Sequence, residues 1–217
     1  MRWRVLLCLW ALGGAAGAVC ADEVAPPLAL PPIGSWLLAE DGSPAHWLGA
    51  AYQGRELIEP INVAIVDPFA SSSDEALDKL LRSTAAAGFG ERLGHSSGYW
   101  AMIGSELFPQ ISSRDNTADS DGQAFVANNH GRIFGPFHDG DHWVFVAALS
   151  RESFQLFSGL HHRFVSFNQA RDEFAQKLSG TDLYRIWANF PLGNVLDSPT
   201  QTTADHDGQL AVLEAIR

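Results

Sequence analysis

The sequence predicts a single domain of the α+β or α/β class, with a mixed β-sheet packed against at least two helices. Two nearly continuous apolar runs, 61–66 and 143–149, are typical of strands that are buried on both faces. Two amphipathic segments, 72–88 and 168–180, begin at capping residues and end at glycines, as helices do. A chain of 217 residues is long enough to bury such a core in one domain.

The N-terminus predicts export. Arg2 and Arg4 precede an apolar run over 5–19, and small residues lead to a cleavage site after Ala21, so that 1–21 has the pattern of a secretory signal peptide. No other stretch has the ~20 apolar residues that a transmembrane helix needs. We therefore expect a periplasmic or secreted protein without a transmembrane segment. Lipidation at Cys20 is disfavoured, because the residues before it match a lipoprotein signal poorly.

Composition narrows the function classes. Both cysteines, Cys8 and Cys20, lie in the predicted signal peptide, so the mature domain would have no disulfide, no thiol nucleophile and no cysteine metal ligand. The 25 Asp and Glu residues outnumber the 14 Lys and Arg residues, for a formal charge of −11. We therefore expect no nucleic-acid partner.

The elements can be assigned in order along the chain. Residues 22–44 are rich in proline and predict an extended N-terminal arm, followed by one globular domain over 45–217. The first strand covers 61–66. The first helix begins at Ser72, which has the capping-box spacing with Glu75, and ends at Gly88. Its buried face is expected to consist of Leu77, Leu80, Leu81 and Thr84.

Two hairpins are predicted next, one joining 99–103 to 106–108 and one joining 131–134 to 143–149. The polar segment between them, 112–122, predicts a mobile surface loop. Its alternating oxygen-bearing residues resemble a calcium loop only faintly, because Ser120 and Val126 stand where such a loop needs Gly and Glu.

The C-terminal third predicts a strand over 164–167, a helix that Asn168 caps and Gly180 ends, and a final strand over 209–213. The segment 194–206 is polar and is expected to be weakly structured.

The strongest candidate site lies at the start of the second hairpin, over 128–132. His130 can act as a base or bind a metal, Arg132 can clamp a carboxylate or phosphate, and Asn128 and Asn129 can orient either group. The alternative is a tight turn whose side chains bond their own backbone.

Further residues could join this site. His161 and His162 are neighbours, and on a strand they point to opposite faces, so at most one should reach His130. Their spacing fits no standard metal signature, although a divalent metal remains one alternative to structural histidines. Arg171 can bind a ligand or form a structural ion pair back to the sheet, while Asp172 favours the helix dipole. The segment 95–98 is expected to be a turn, or a rim of the same cleft.

The order of these motifs resembles the LssY C-terminal domain family over about residues 45–213. The matching segments are PINV at 60–63, AGF at 87–89, Gln110, HGRIF at 130–134, VAALS at 146–150, His161-His162 and Arg171-Asp172. The chain departs from the family at Asn129, where a second histidine is usual, and at 150–152, where an Asp is common. It is therefore similar to a distant relative of the LssY C-terminal domain family, or to a member of a sister family. The resemblance implies an envelope context beside membrane phosphatase-like and DedA-like proteins, and no established reaction.

Two functions from different classes fit these residues. The favoured one is an exported binding or accessory module for an anionic or polar ligand, with an envelope ligand or a membrane protein as its partner. Its predicted binding residues are Asn128, Asn129, His130, Arg132, His161, His162 and Arg171. The alternative is a hydrolase of a phosphoester or an envelope lipid, with or without a divalent metal. In that function His130 is a base or ligand, Arg132 stabilises negative charge, and His162 is an acid or second ligand.

Overall fold

A computed structural model describes residues 29–112, 115–123, 126–155 and 161–217. These residues form a single mixed-sheet domain with two helices and about 48% strand, which is α+β-like. The predicted mixed sheet with two packed helices is confirmed, while the low helix content does not suit the α/β alternative. Among the described residues, no helix is long and apolar enough to cross a membrane. The predicted signal peptide, 1–21, lies outside them.

The helices are α1 (Ser73–Ala86) and α2 (Phe167–Ser179). The strands of the described chain are β1 (His46–Tyr52), β2 (Arg55–Ile58), β3 (Val63–Asp67), β4 (Gly90–Leu93), β5 (Trp100–Ile103), β6 (Glu106–Pro109), β7 (Thr117–Ser120), β8 (Asn128–Asp139), β9 (His142–Gln155), β10 (His161–Ser166), β11 (Tyr184–Pro191), β12 (Gln201–Thr202) and β13 (Gln209–Ala215).

Eight strands form the main sheet, in the order β11-β13-β3-β9-β8-β7-β4, with β10 paired to β9 beside this path. The β3 and β13 pair is parallel and the other pairs are antiparallel, which makes the sheet mixed. A small sheet contains β1, β2 and β12, and β5 pairs with β6 as the predicted hairpin.

Both faces of the central strands are covered, as their continuous apolar sequences predicted. On one face, Ile65 and Phe145 pack with residues of α1 and α2. On the other face, Val144 and Val146 pack with Leu37 and the β5–β6 hairpin. The described part of the predicted arm, 29–44, therefore packs against the domain at Leu37, whose side chain is fully buried.

The helix boundaries follow the capping residues, with two corrections. Ser72 caps α1 as predicted, since its side chain accepts a hydrogen bond from the Glu75 N–H at 3.2 Å. The expected burial of Leu81 is wrong, because it is 43% exposed and the buried face consists of Ala76, Leu80, Ser83 and Thr84. Helix α2 is capped by Ser166 rather than Asn168, because β10 runs directly into the helix.

Two segments that were expected to be loosely structured belong to the folded core. Residues 117–120, inside the predicted mobile loop, are β7, a buried strand between β8 and β4. The alternation that faintly resembled a calcium loop is here the two-residue period of a strand, and Asp119 is only 7% exposed. The segment 194–206 contains β12 and four buried polar residues, Asn194, Thr202, Thr203 and His206.

Candidate functional site

Two central strands change from apolar to polar on the sheet face away from the helices. On β9 the inward series that includes Val146 continues as Ser150 and Glu152. On β8 the series that includes Phe134 continues as three polar residues, Arg132, His130 and Asn128. These five polar residues are no more than 2% exposed. The alternative in which 128–132 is a tight turn is therefore wrong, because the segment is a buried strand.

Two further imidazoles reach this polar face from neighbouring segments. His95, after β4, is 7% exposed, and its ring lies 5.0 Å from that of His130. His162 comes from β10, and its Nδ1 atom lies 2.9 Å from Glu152 Oε2. His130 Nδ1 lies 3.7 Å from the same oxygen. We call His95, His130, Glu152 and His162 the histidine–glutamate cluster.

Three residues of the cluster have the composition and spacing of a metal site. One potential ligand atom from each of His95, His130 and Glu152 lies within 4.8 Å of the other two. Two buried ring nitrogens among these residues have no hydrogen-bond partner: His95 Nε2 and His130 Nδ1. His162 Nδ1 pairs with the carboxylate of Glu152 at 2.9 Å. Buried polar atoms are nearly always paired, so two unpaired nitrogens beside one carboxylate need an explanation, and a bound cation supplies one.

Neighbouring groups orient the potential ligands. Ser150 Oγ lies 3.2 Å from His130 Nε2, and it accepts a hydrogen bond from Trp47 Nε1 at 3.0 Å. A hydroxyl has two lone pairs, so it can also accept a hydrogen bond from the His130 Nε2–H, which leaves the His130 Nδ1 lone pair facing Glu152. Asn128 Nδ2 donates to Glu152 Oε1 at 2.9 Å. These contacts match the outer hydrogen bonds that fix metal ligands in known sites.

Burial also sets the protonation states that a metal requires. It lowers the pKa of His95 to about 4, and the nearby Arg132 and His162 add to this shift. The pKa of His130 is held well below its ordinary value, mainly by burial. Both imidazoles are therefore neutral at pH 7, with lone pairs available. Burial raises the pKa of Glu152, against the stabilising effects of Asn128 and His162.

Arg132 lies beside the cluster and links the segments that carry it. Its Nη1 atom lies 3.1 Å from Glu59 Oε2, and both side chains are at most 2% exposed. Its other nitrogens donate to Ser96 O at 3.2 Å and Ser96 Oγ at 2.8 Å, and the guanidinium lies 4.4 Å from the Tyr99 ring centre. Arg132 thus ties β8 to the loop that carries His95. Its burial separates it from any ligand that enters from solvent.

The structure brings together four of the seven predicted binding residues: Asn128, His130, Arg132 and His162. Asn129 instead lies on the helix face of the sheet, where its side chain bonds to Asp121 and Glu173. Arg171, on α2, forms ion pairs with Asp172 and Asp207, which is the structural alternative stated above. His161 begins β10, but its side chain is outside the described part of the structure.

A cleft opens beside the cluster, between β1 and β10, with a volume of about 520 Å³. Its walls include Trp47, Tyr52, Leu57, His162, Arg163 and Phe164. Two edge-to-face ring contacts, Trp47–Phe164 at 5.7 Å and Tyr52–Phe164 at 5.5 Å, hold the aromatic wall. His162 belongs to both the cleft and the cluster, and its side chain is 25% exposed. It is therefore the boundary between the buried site and solvent.

Sequence reasoning missed two important residues. Glu152 follows Ser150 by two positions on one strand, so the strand period could have placed its carboxylate on the same face as Ser150. Glu59 stands just before a buried strand, but its partner Arg132 is distant in sequence, and no local pattern joins them. His95 was considered only as a turn or a rim residue, because the chain gives no local sign of its burial.

No family model, curated protein or solved structure matches this chain. The resemblance to the LssY C-terminal domain family therefore stays a prediction that rests on motif order.

Proposed function

We propose that the protein binds a divalent transition-metal ion of the zinc class between His95, His130 and Glu152, with His162 as the fourth ligand. The observation that carries this proposal is that His95, His130 and Glu152 each place a potential ligand atom within 4.8 Å of the other two, while His95 Nε2 and His130 Nδ1 are buried without a hydrogen-bond partner. A hydrogen-bonded structural cluster would be expected to pair such atoms with one another.

The donor chemistry favours zinc and related ions over magnesium or calcium. Imidazole nitrogens suit zinc, copper, nickel and iron, whereas magnesium and calcium prefer sites built from oxygen alone. In a four-coordinate zinc site, neighbouring donor atoms are about 3.3 Å apart. The separations of 2.9 Å and 3.7 Å from Glu152 Oε2 lie on either side of that value. His95 contributes its atom within 4.8 Å of those of His130 and Glu152, so the side chains would rotate inward to seat an ion.

Under this proposal the protein is a binding module whose ligand is a cation, whereas the sequence predicted an anionic or polar ligand. The anion-clamp role for Arg132 has little support, because its guanidinium is buried against Glu59. We further propose that the protein works in the cell envelope or outside the cell, on the strength of the signal-peptide pattern over 1–21. We also propose that its partner is an envelope protein of the membrane phosphatase-like or DedA-like kind that the LssY resemblance implies.

A metal-dependent hydrolase is the second candidate, and the position of His162 favours it. Structural zinc sites have four protein ligands, whereas catalytic sites have three and an open position. Displacement of His162 would leave three inner ligands and open the fourth position towards the cleft. A water molecule there would have a pKa near about 7 and could act as a nucleophile. In this mechanism His130 is a ligand, and not the base.

Zinc binding to the mature chain, purified without a histidine tag and stripped with a chelator, tests the main proposal. Isothermal titration calorimetry should show one equivalent of zinc, and the ion should raise the unfolding temperature. Free zinc at 100 times its dissociation constant would add about 2.7 kcal/mol to the free energy of unfolding. Glu152→Gln keeps an acceptor for Asn128 but loses the anionic ligand, and should weaken zinc binding at least about tenfold.

Glu173→Gln is the matched control, because this carboxylate bonds to Asn129 and Arg151 on the opposite face of the sheet. It should bind zinc as the wild-type protein does. Circular dichroism would establish that each variant is folded. A folded wild-type protein that takes up no zinc, or equal binding by Glu152→Gln, would contradict the proposal.

A further inference from the structure

We propose that the outer face of the β5–β6 hairpin is a docking surface for a basic amphipathic helix of a protein partner. We call this surface the hairpin face, and it consists of Leu38, Trp100, Met102, Leu107 and Pro109. It shares no residue with the proposed metal site, and the docking does not depend on zinc.

Strand pairing gathers these apolar side chains on one side of the hairpin. Met102 stands opposite Leu107, and Trp100 stands opposite Pro109. Leu38 lies along the other edge of β5, where it exchanges two backbone hydrogen bonds of 2.9 Å with Trp100. Residues that stand directly opposite on paired strands project to the same side, and so do residues two apart on one strand. The five residues therefore form one contiguous apolar face.

The inner side of the hairpin is covered by the core, whereas the outer side is open to solvent. Ala101 and Ile103, which point inward, are fully buried. Met102 is 41% exposed and Leu107 is 54% exposed. Among the large exposed apolar side chains of the described residues, these two are the only ones that stand opposite each other on neighbouring strands. A contiguous apolar patch that folding leaves uncovered is typical of an interaction site.

Two small clefts flank Trp100 and favour a protein partner over a small molecule. One has a volume of about 210 Å³ and is lined by Leu38 and Leu107, and the other has a volume of about 280 Å³ and is lined by Tyr99 and Pro109. Both are smaller than the roughly 300–1,000 Å³ of small-molecule sites. They suit single side chains that project from a partner, as when an apolar surface binds the apolar stripe of a helix.

The charge around the hairpin face indicates that the partner is basic. The segments that build it, 33–45 and 99–110, contain no Lys or Arg, and their charged residues are Glu40, Asp41 and Glu106. All three carboxylates are exposed. They attract Lys and Arg side chains that border an apolar stripe. They repel an anionic lipid surface, and they also repel a second copy of this chain, which has a formal charge of −11.

A fluorescein-labelled peptide of about 18 residues, with leucine on one helical face and lysine on the other, is the probe for this docking. Fluorescence anisotropy during titration with the mature protein measures its affinity. One control peptide has glutamate in place of lysine, and the other has the same leucines and lysines in scrambled order. The leucine–lysine peptide should bind at least about tenfold more tightly than either control, and added salt should weaken its binding.

The double substitution Met102→Thr with Leu107→Thr removes the centre of the hairpin face and keeps residues that suit a strand. It should weaken binding of the leucine–lysine peptide at least about tenfold, without changing zinc affinity. Ile186→Thr alters an apolar residue of β11 that is 45% exposed, so it is the matched control and should bind the peptide as the wild-type protein does. Circular dichroism would establish that each variant is folded.

The double substitution Glu40→Gln with Glu106→Gln tests the charge separately. It should weaken binding of the leucine–lysine peptide about three- to tenfold and make the binding less dependent on salt.

Equal binding of the lysine and glutamate peptides, or normal binding by the Met102→Thr with Leu107→Thr variant, would overturn the inference. A wild-type dimer in analytical ultracentrifugation that this variant loses would assign the face to a second copy instead. Co-sedimentation with phosphatidylglycerol vesicles that this variant loses would assign it to a lipid surface. A protein that binds the peptide but takes up no zinc would refute the metal site alone.

Discussion

His130 Nδ1 lies 3.7 Å from Glu152 Oε2, although both side chains are almost fully buried. The pairing of β8 with β9 sets this separation, because His130 stands opposite Ser150 and Asn128 stands opposite Glu152. His130 and Glu152 are therefore diagonal neighbours on one face of the sheet. Their separation is too long for a hydrogen bond and suits two ligands of one ion. The backbone of the central strands thus holds the site in place.

Ser150→Ala should weaken zinc binding by about 10–100-fold, because it removes the hydrogen bond that orients His130. The hydroxyl touches no proposed position of the ion, so the effect would come through the orientation of the imidazole. Zinc titration calorimetry measures the change. Ser83→Ala, which removes another buried serine hydroxyl in α1, is the control and should leave zinc affinity unchanged. Equal affinities for both variants would show that His130 needs no such support.

Arg132→Ala should reduce the free energy of unfolding by about 3–5 kcal/mol, because it leaves the Glu59 carboxylate buried without its partner. Burial already raises the pKa of Glu59, and Arg132 opposes that effect. Urea unfolding followed by circular dichroism measures the loss.

Two variants make this test specific. Arg82→Ala removes an exposed helical ion pair and should cost no more than about 0.5 kcal/mol. The double substitution Arg132→Met with Glu59→Leu replaces both buried charges by apolar groups and should recover most of the lost stability. If Arg132→Ala is no more harmful than Arg82→Ala, the buried pair does not stabilise the domain.

Much of the fold could be predicted from local patterns. Residues 61–66 and 143–149 show their burial by continuous apolar sequence, and Ser72 marks a helix start, since each of these signals lies within one element. The strand β7 was missed because three of its four residues, Thr117–Ser120, are polar, and its burial depends on neighbours that are distant in sequence.

The candidate site was only half predictable for the same reason. Asn128, His130 and Arg132 share one face because they alternate on a strand, which the sequence reveals. The convergence of His95 and Glu59 on that face depends on two loops whose path no local pattern determines. Asn129 was included because it stands beside His130, yet the strand period turns it to the opposite face.

Asp119 predicts a specific dependence of stability on pH. Burial and the nearby Glu91 raise its pKa from 3.8 to about 7 in the folded protein. Between about pH 4 and pH 7 the folded state keeps the proton while the unfolded state loses it, so this group makes stability fall as pH rises. The full penalty is present above pH 7 and absent below pH 4. Each pH unit within the window should change the contribution by about 1.4 kcal/mol.

Asp119→Asn removes this titration. The difference in free energy of unfolding between the variant and the wild-type protein should therefore grow in favour of the variant from pH 4 to pH 7, and then level off. Urea unfolding at four or five pH values measures the difference, while other titrating groups cancel in the comparison. A difference that is constant across this range would show that Asp119 is ionised in the folded protein with an ordinary pKa.

Gly131→Ala tests whether the register of β8 and β9 supports both stability and metal binding. A Cβ atom at this position would lie 2.4 Å from Leu149 Cδ1 and 3.0 Å from Ala148 O, so the Leu149 side chain would have to move and the β9 backbone would have to shift slightly. We expect a loss of about 1–3 kcal/mol in the free energy of unfolding. Zinc affinity should fall as well, because His130 and Glu152 lie on the same two strands.

Gly90→Ala in β4 is the matched control, since its Cβ atom would meet nothing within 4 Å, and it should cost less than about 0.5 kcal/mol. If Gly131→Ala lost stability but bound zinc normally, the separation of the two ligands would not depend on the strand register.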